Sequence, residues 1–134
     1  VQVRPPEQQV FQGYVKPSEG VPVKESRHEP IASTVVRLSD QVMYQDGAIA
    51  SRMLLFRKNG TITVFAFDEG EGLPEHTAPY EAVVTVLEGR CRVTIAGVDS
   101  LVQVGQTIIF PPHIPHAVYA ETPFKMSLTM IRDE

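Results

Sequence analysis

Three of the chain's four histidines fall within two stretches. One runs from His76 to Gly89 and reads HTAPYEAVVTVLEG; the other runs from Gly105 to His116 and reads GQTIIFPPHIPH. Imidazole is the commonest protein ligand for metals, and its ordinary pKa of about 6.5 lets it give or take a proton near neutrality. If His76 and His116 converge, they could share a divalent transition metal such as Fe, Mn, Ni or Zn, work as an acid–base pair, or donate hydrogen bonds to an anionic ligand. The plainer alternative is a pair of satisfied, partly buried polar side chains. His113 sits in a proline-rich turn, where side chains often face solvent. His28 lies between Arg27 and Glu29 and is expected at the surface.

The elements that must position these residues are short strands. Residues 1–30 carry Pro5, Pro6, Pro17, Pro22 and Pro30 and few clustered apolar residues, which reads as an extended arm or linker ahead of a domain over 31–134. Thr34–Leu38 and Gln41–Tyr44 are candidate strands, followed by an Asp46-Gly47 turn and a strand over Ala48–Phe56. Asn59-Gly60 predicts a type I′ hairpin turn into Thr61–Asp68. In that strand Thr63, Phe65 and Phe67 share one face, and Ile62, Val64 and Ala66 the other. Glu69–Glu75 reads as a polar loop. Further strands are predicted over Ala82–Leu87, Arg90–Ile95, Ser100–Val104, Thr107–Phe110, Ala117–Ala120 and Phe124–Ile131. No segment keeps a 3.6-residue apolar period, so the expectation is an all-β fold, closed or double-sheeted. Pro111 and Pro112 end a strand by removing two donors, and Pro115 fixes the backbone just ahead of His116.

A chain of 134 residues suffices for one core. With 43% apolar and 21% charged residues it has the make-up of an ordinary globular protein. Net charge is −4 and no run of Lys or Arg occurs, so neither nucleic acid nor membrane is an expected partner. No apolar stretch approaches the roughly 20 residues that span a bilayer, and no signal-peptide pattern opens the chain; the expected location is cytoplasmic. A single cysteine cannot form an internal disulfide. Cys91 alternates with Val93 and Ile95 and is expected to be a small core residue.

The two histidine stretches resemble the paired motifs of the cupin superfamily, within its small single-domain, RmlC-like, cupin-2 type. The resemblance covers roughly residues 48–131 and implies a double-stranded β-helix, or jelly-roll barrel. Gly70, His76 and Gly89 take places in the first motif; Gly105, Pro111 and His116 take places in the second. The departures bear on function. Ala78 stands at the second histidine place, Ala82 at the glutamate place, His113 at a glycine place and Ala120 at the final asparagine place. Of the family's three histidines and one glutamate, the matching positions keep His76 and His116. The stretch His76-Thr77-Ala78-Pro79 also resembles a subgroup in which this reduced set recurs.

A metal usually needs at least three ligands, so a third would have to come from Glu81 or His113, with Glu75 and Tyr80 as further candidates. Glu81 would require a β-bulge to turn inward. Parity assigns Phe65 and Phe67, or their alternates on that strand, together with Ala78, Ala82, Val84, Ile114 and Val118, to an apolar ligand pocket, a pattern that also describes a plain barrel core. Three functions fit: a small cupin enzyme (isomerase, dioxygenase or lyase), a module that binds or senses a small molecule without chemistry, or a dimeric scaffold. A homodimer is expected, since small cupins commonly pair through a sheet.

Overall fold

The computed structural model describes residues 23–25 and 31–133. The proline-rich arm outside 23–25, with His28, lies outside the described residues. The strands are β1 (Val23–Glu25), β2 (Ile49–Arg57), β3 (Gly60–Phe67), β4 (Gly72–His76), β5 (Glu81–Glu88), β6 (Arg90–Ile95), β7 (Val98–Gln103), β8 (Thr107–Phe110), β9 (His116–Ala120) and β10 (Phe124–Ile131). They form a six-stranded sheet ordered β1-β2-β3-β10-β5-β8 and a four-stranded sheet ordered β4-β9-β6-β7. Every pairing is antiparallel except β1 with β2. The inner faces of both sheets contribute to one buried cluster that includes Ile49, Phe65, Phe67, Val84, Val93, Val118 and Leu128. This is the expected double-stranded β-helix of jelly-roll type. Among the described residues no helix is long and apolar enough to cross a membrane.

Cross-strand neighbours share a face, so the register sorts the interior into rows. Ile49, Phe67 and Phe124 stand opposite one another across β2, β3 and β10. The Phe67 and Phe124 rings stack with centroids 4.6 Å apart, and all three residues are fully buried. At the far end of the same face, Thr61, Met130, Ala82 and Phe110 form another row across β3, β10, β5 and β8. One end of the barrel thus carries a stacked pair of rings, while the other carries a hydroxyl, a thioether and a methyl group between Phe56, which stands opposite Thr61 on β2, and Phe110.

Two predicted strands do not form. Residues 34–38 and 41–44 run as a strap with one 3-10 turn, Leu38–Gln41. The strap lies across the outer face of the six-stranded sheet instead of adding to its edge. Val42 buries against Ala50, Val64 and Ala66, with Leu38, Leu54 and Leu87 packed alongside. Two buried cations fasten it: Lys125 Nζ donates to the Ser39 carbonyl at 2.6 Å, and Arg52 Nη1 donates to Gln41 Oε1 at 2.7 Å. Burial, and then the bond that Tyr44 donates to Glu88 at 2.9 Å, hold its phenol well above the usual range. Both faces of β3 are therefore buried from Thr63 to Phe67, which explains its unbroken apolar run over 64–67.

The turns differ from expectation in one instructive way. Lys58 and Asn59 join β2 to β3, but neither has a positive φ, so that hairpin does not use a type I′ turn. The positive-φ pair is Ala96 (51°) and Gly97 (81°), between β6 and β7. Gly60 meets a packing need instead: a Cβ there would press on the Met130 carbonyl at 3.1 Å.

Candidate functional site

The site begins with an irregular edge strand. β4 occupies residues predicted to be loop, and its Gly72 and Pro74 account for the error. A proline is tolerated there because β4 lies at the edge of the four-stranded sheet, where a missing donor breaks only one ladder. The register against β9 shifts between Leu73 and His76, which leaves His76 directly opposite His116. The two histidines, forty positions apart, are therefore cross-strand neighbours, with Ile95 on β6 next in the row.

Both rings are aimed by the chain just before them. His76 Nδ1 lies 2.8 Å from the Pro74 carbonyl, and His116 Nδ1 lies 3.1 Å from the Ile114 carbonyl. A carbonyl can only accept, so each Nδ1 carries the hydrogen and each neutral ring presents a lone pair on Nε2. The two Nε2 atoms face one another at 3.1 Å, with ring centroids 4.4 Å apart in an edge-to-face arrangement. Two lone pairs at that distance repel. The contact becomes attractive when one Nε2 gains a proton and donates to the other, or when an electrophile is shared between them. His116 is buried, with the Phe110 ring 4.4 Å away, whereas His76 is half-buried. Burial first, and then the charge that a proton on His76 would place beside it, push His116 down to about 4, against the pull of the Ile114 carbonyl.

This donor set meets the needs of a metal in part. Two imidazole nitrogens bound to one ion at roughly 2.0–2.1 Å stand about 2.9–3.4 Å apart for bond angles between 90° and 110°. The observed 3.1 Å lies in that span. A backbone carbonyl holding Nδ1–H is also the usual outer support of a metal-bound histidine. Among the described residues, however, no group of three His, Cys, Asp or Glu side chains could hold an ion. Glu81 is exposed: it alternates with buried Ala82, and β5 pairs in regular register with β8 and with the end of β10, so no bulge turns it inward. His113 is exposed too, and its backbone has φ 67°. It stands at the motif's glycine place because the turn needs a left-handed residue there. Its N–H donates to the Ala78 carbonyl at 2.7 Å, tying the two histidine stretches together. Glu75 is exposed, and the hydroxyl of buried Tyr80 accepts from Arg132 Nη1 at 3.3 Å.

The residues expected to line a pocket do assemble. Phe65, Phe67, Ala78, Ala82, Val84 and Val118 all belong to the buried cluster, while Ile114 is half-buried. Phe67 and its stacked partner Phe124 sit at the filled end, whereas Ala82 lies in the row with Phe110, the ring against His116. Ala120 is fully buried at the asparagine place. Cys91 is buried, which pushes its thiol up to about 12, as suits a small core residue. Sequence reasoning missed Thr61. It faces inward in the same row as Met130, Ala82 and Phe110, yet among the described residues its Oγ1 has no hydrogen-bond partner. The available signal was parity: Thr61 and Thr63 alternate with Phe65 and Phe67, so two hydroxyls point where the core was expected.

Relatives share this frame. No curated protein matches the chain. A conserved protein of unknown function from Streptococcus pyogenes is 38% identical, covering 76% of this chain and 90% of its own, with a TM-score of 0.73. A cupin 2 conserved barrel domain protein from Leptotrichia buccalis is 40% identical over 70% of this chain and 46% of its own, with a TM-score of 0.68. A cupin superfamily protein from Desulfitobacterium hafniense shares the fold at 19% identity and a TM-score of 0.73, covering 81% of this chain and all of its own. The cupin domain profile matches residues 63–132, which takes in both histidine stretches and the strands that bring them together, so the chain belongs to the cupin domain family.

Proposed function

We propose that this barrel binds a small organic molecule at the His76–His116 pair, through a divalent transition metal whose remaining coordination places the ligand itself completes. The observation that carries this reading is the pair of Nε2 lone pairs held 3.1 Å apart by carbonyls on the far side of each ring. With each Nδ1 turned to a carbonyl, the two Nε2 atoms face one another at a spacing that a shared ion or a shared proton would hold. Neutral imidazoles suit Fe, Ni and Zn better than Mn, which prefers oxygen ligands. With two protein ligands, the ion would be held weakly by the chain alone and more firmly together with a chelating molecule. When bound, it would supply Lewis acidity to an oxygen of that molecule. The chain's own part is to orient: Pro74 and Ile114 fix the rings, and Phe110 packs against His116 and keeps water from that side.

The absence of a third ligand among the described residues favours a second reading, in which a proton takes the metal's place and the pair acts as a metal-free acid–base couple. Elemental analysis and thermal unfolding of untagged protein separate the two. Ni(II) or Zn(II) should raise the melting temperature of the native chain, because a ligand that binds only the folded state stabilises it. His76→Ala and His116→Ala should each abolish the rise. An equal rise in both variants and the native chain would place the metal elsewhere and end the first reading.

A further inference from the structure

We infer that Thr61 is a second anchoring point of the same site, and that its hydroxyl hydrogen-bonds an uncharged oxygen, such as a hydroxyl or carbonyl, at the far end of the bound molecule. This rests on the small-molecule reading of the histidine pair. Thr61 is 3% exposed and its Oγ1 is a buried side-chain oxygen without a partner among the described residues. Leaving such a hydroxyl unpaired costs on the order of 1–3 kcal/mol, and valine would fill the same space without that cost. A hydroxyl kept at such a position points to a partner that comes and goes.

The register says where that partner sits. Thr61 stands opposite Met130, which stands opposite Ala82, which stands opposite Phe110, and the Phe110 ring touches His116. The orphan hydroxyl and the histidine pair thus share one end of the interior, with a thioether and a methyl group in the row between Thr61 and Phe110, and Phe56 beyond Thr61 on β2. The surroundings give at little cost. Met130 is unbranched, and Met53, half-buried, contacts the Thr63 hydroxyl one position along the same face at 3.4 Å. Methionine side chains rearrange readily, so a ligand could reach Thr61 by displacing them.

The charge balance narrows the ligand. The buried cations Arg52 and Lys125 both serve the strap on the outer face. The buried polar side chains on the inner face are Ser51, Thr61, Thr63 and His116. No cation stands in the Thr61 row, and Arg132, two residues beyond Met130, spends its guanidinium on the Lys58 carbonyl and on the hydroxyl and ring of Tyr80, so a carboxylate at Thr61 would be desolvated without a counter-charge committed to it. The far end of the molecule is therefore neutral, while the near end carries the oxygens that meet the histidine pair.

Two arms test this. In the first, metal-stripped protein is compared with Thr61→Val and Thr61→Ser by thermal unfolding. Thr61→Val should melt at or above the temperature of the native chain; a clear drop, restored by Thr61→Ser, would show that the hydroxyl serves the fold and would overturn the inference. In the second, Ni(II)-loaded protein is titrated with alkyl hydroxamic acids carrying two to six methylenes, each ending in a methyl or a hydroxyl group. The hydroxamate chelates the ion and the chain reaches toward Thr61. The native chain should prefer the hydroxyl ending by about tenfold at one length, Thr61→Ser should keep the preference and Thr61→Val should lose it. Equal preference in Thr61→Val and the native chain, or none in the native chain at any length, overturns the inference while leaving the metal reading standing. If Ni(II) itself does not shift the native chain, the metal reading fails, and the first arm decides the role of Thr61 on its own.

Discussion

The two ends of this barrel use the same strands for opposite purposes. At one end Ile49, Phe67 and Phe124 occupy a row in which every side chain is fully buried and apolar, with two rings stacked at 4.6 Å. A glycine closes the chain around it: Gly89 has φ 69°, and a Cβ there would overlap the Pro123 carbonyl. At the other end, the corresponding places hold Thr61, Met130, Ala82 and Phe110, opposed by His76 and His116. The histidine end keeps a hydroxyl without a partner among the described residues and two Nε2 atoms turned toward each other. Within one fold, stability is concentrated where the rings stack, and unsatisfied chemistry is concentrated where small and polar side chains stand between the rings. That division is what separates a binding site from a core lined by similar residues.

The largest expected effect tests the filled end. Phe67→Ala should cost about 3–5 kcal/mol of unfolding free energy, the range for removing a buried ring from a packed core. Chemical denaturation measures it. If the ends divide the labour as described, any variant that still folds should keep its metal-induced rise in melting temperature. A loss below about 1 kcal/mol would mean that the stacked rings are not the anchor of the fold.

The next effect belongs to the histidine end and follows from pH. His116 in the folded chain stays neutral down to about pH 4, whereas in the unfolded chain it takes up a proton near its ordinary value of about 6.5. The unfolded state therefore binds the proton first as pH falls. The contribution of His116 is complete above about pH 6.5 and is lost progressively down to about pH 4, by some 2–3 kcal/mol. Urea unfolding of metal-stripped protein at steps between pH 7 and 4 should show this decline, and His116→Ala should flatten it. A native curve already flat across that window would mean that the ring is better solvated than its burial suggests.

How much of this was legible in the residues differs between the same two ends. Alternation fixed β6 at its observed bounds, and the parity of Phe65 and Phe67 put both rings inside, because a strand with one buried face writes that face into every second residue. The strap was misread as strands. Its apolar residues answer to the outer face of a sheet that is distant in sequence, and no local pattern reveals that. At the histidine end, His76 and His116 were visible by type and spacing. β4 was not, since a glycine and a proline in five residues read as loop until an edge position makes them tolerable. Thr61 was hidden for a different reason. Threonine is among the commonest strand residues, and only the pairing of β3 with β10 shows that its hydroxyl faces inward without an acceptor.

A gain-of-ligand substitution sharpens the contrast at the next level of effect. Ala82 is buried, faces inward and stands opposite Phe110, the neighbour of His116. Ala82→Glu would place a carboxylate on the side from which the pair lacks a third ligand. Affinity for Ni(II) should rise at least tenfold, equivalent to about 1.4 kcal/mol, while the metal-free variant should be less stable than the native chain because it buries a carboxyl group. Calorimetric titration reads the first quantity and thermal unfolding the second. Unchanged affinity would indicate that the row from Thr61 to Phe110 does not open toward the histidines.

The smallest effect concerns the histidine that stands beside the pair without joining it. His113 holds φ 67° with its side chain in solvent, a conformation that costs a non-glycine residue roughly 1–2 kcal/mol. Glycine would remove that strain but give back about 0.5–1 kcal/mol in backbone entropy. His113→Gly should therefore stabilise the barrel by ~0.5 kcal/mol, provided that the 113 N–H keeps its bond to the Ala78 carbonyl. Since the imidazole points away from the barrel, the variant should show the same rise in melting temperature with Ni(II) as the native chain. A diminished rise would assign His113 to the ion and give the pair the third ligand that the described residues withhold, which would shift the unsatisfied chemistry from the barrel interior to its rim.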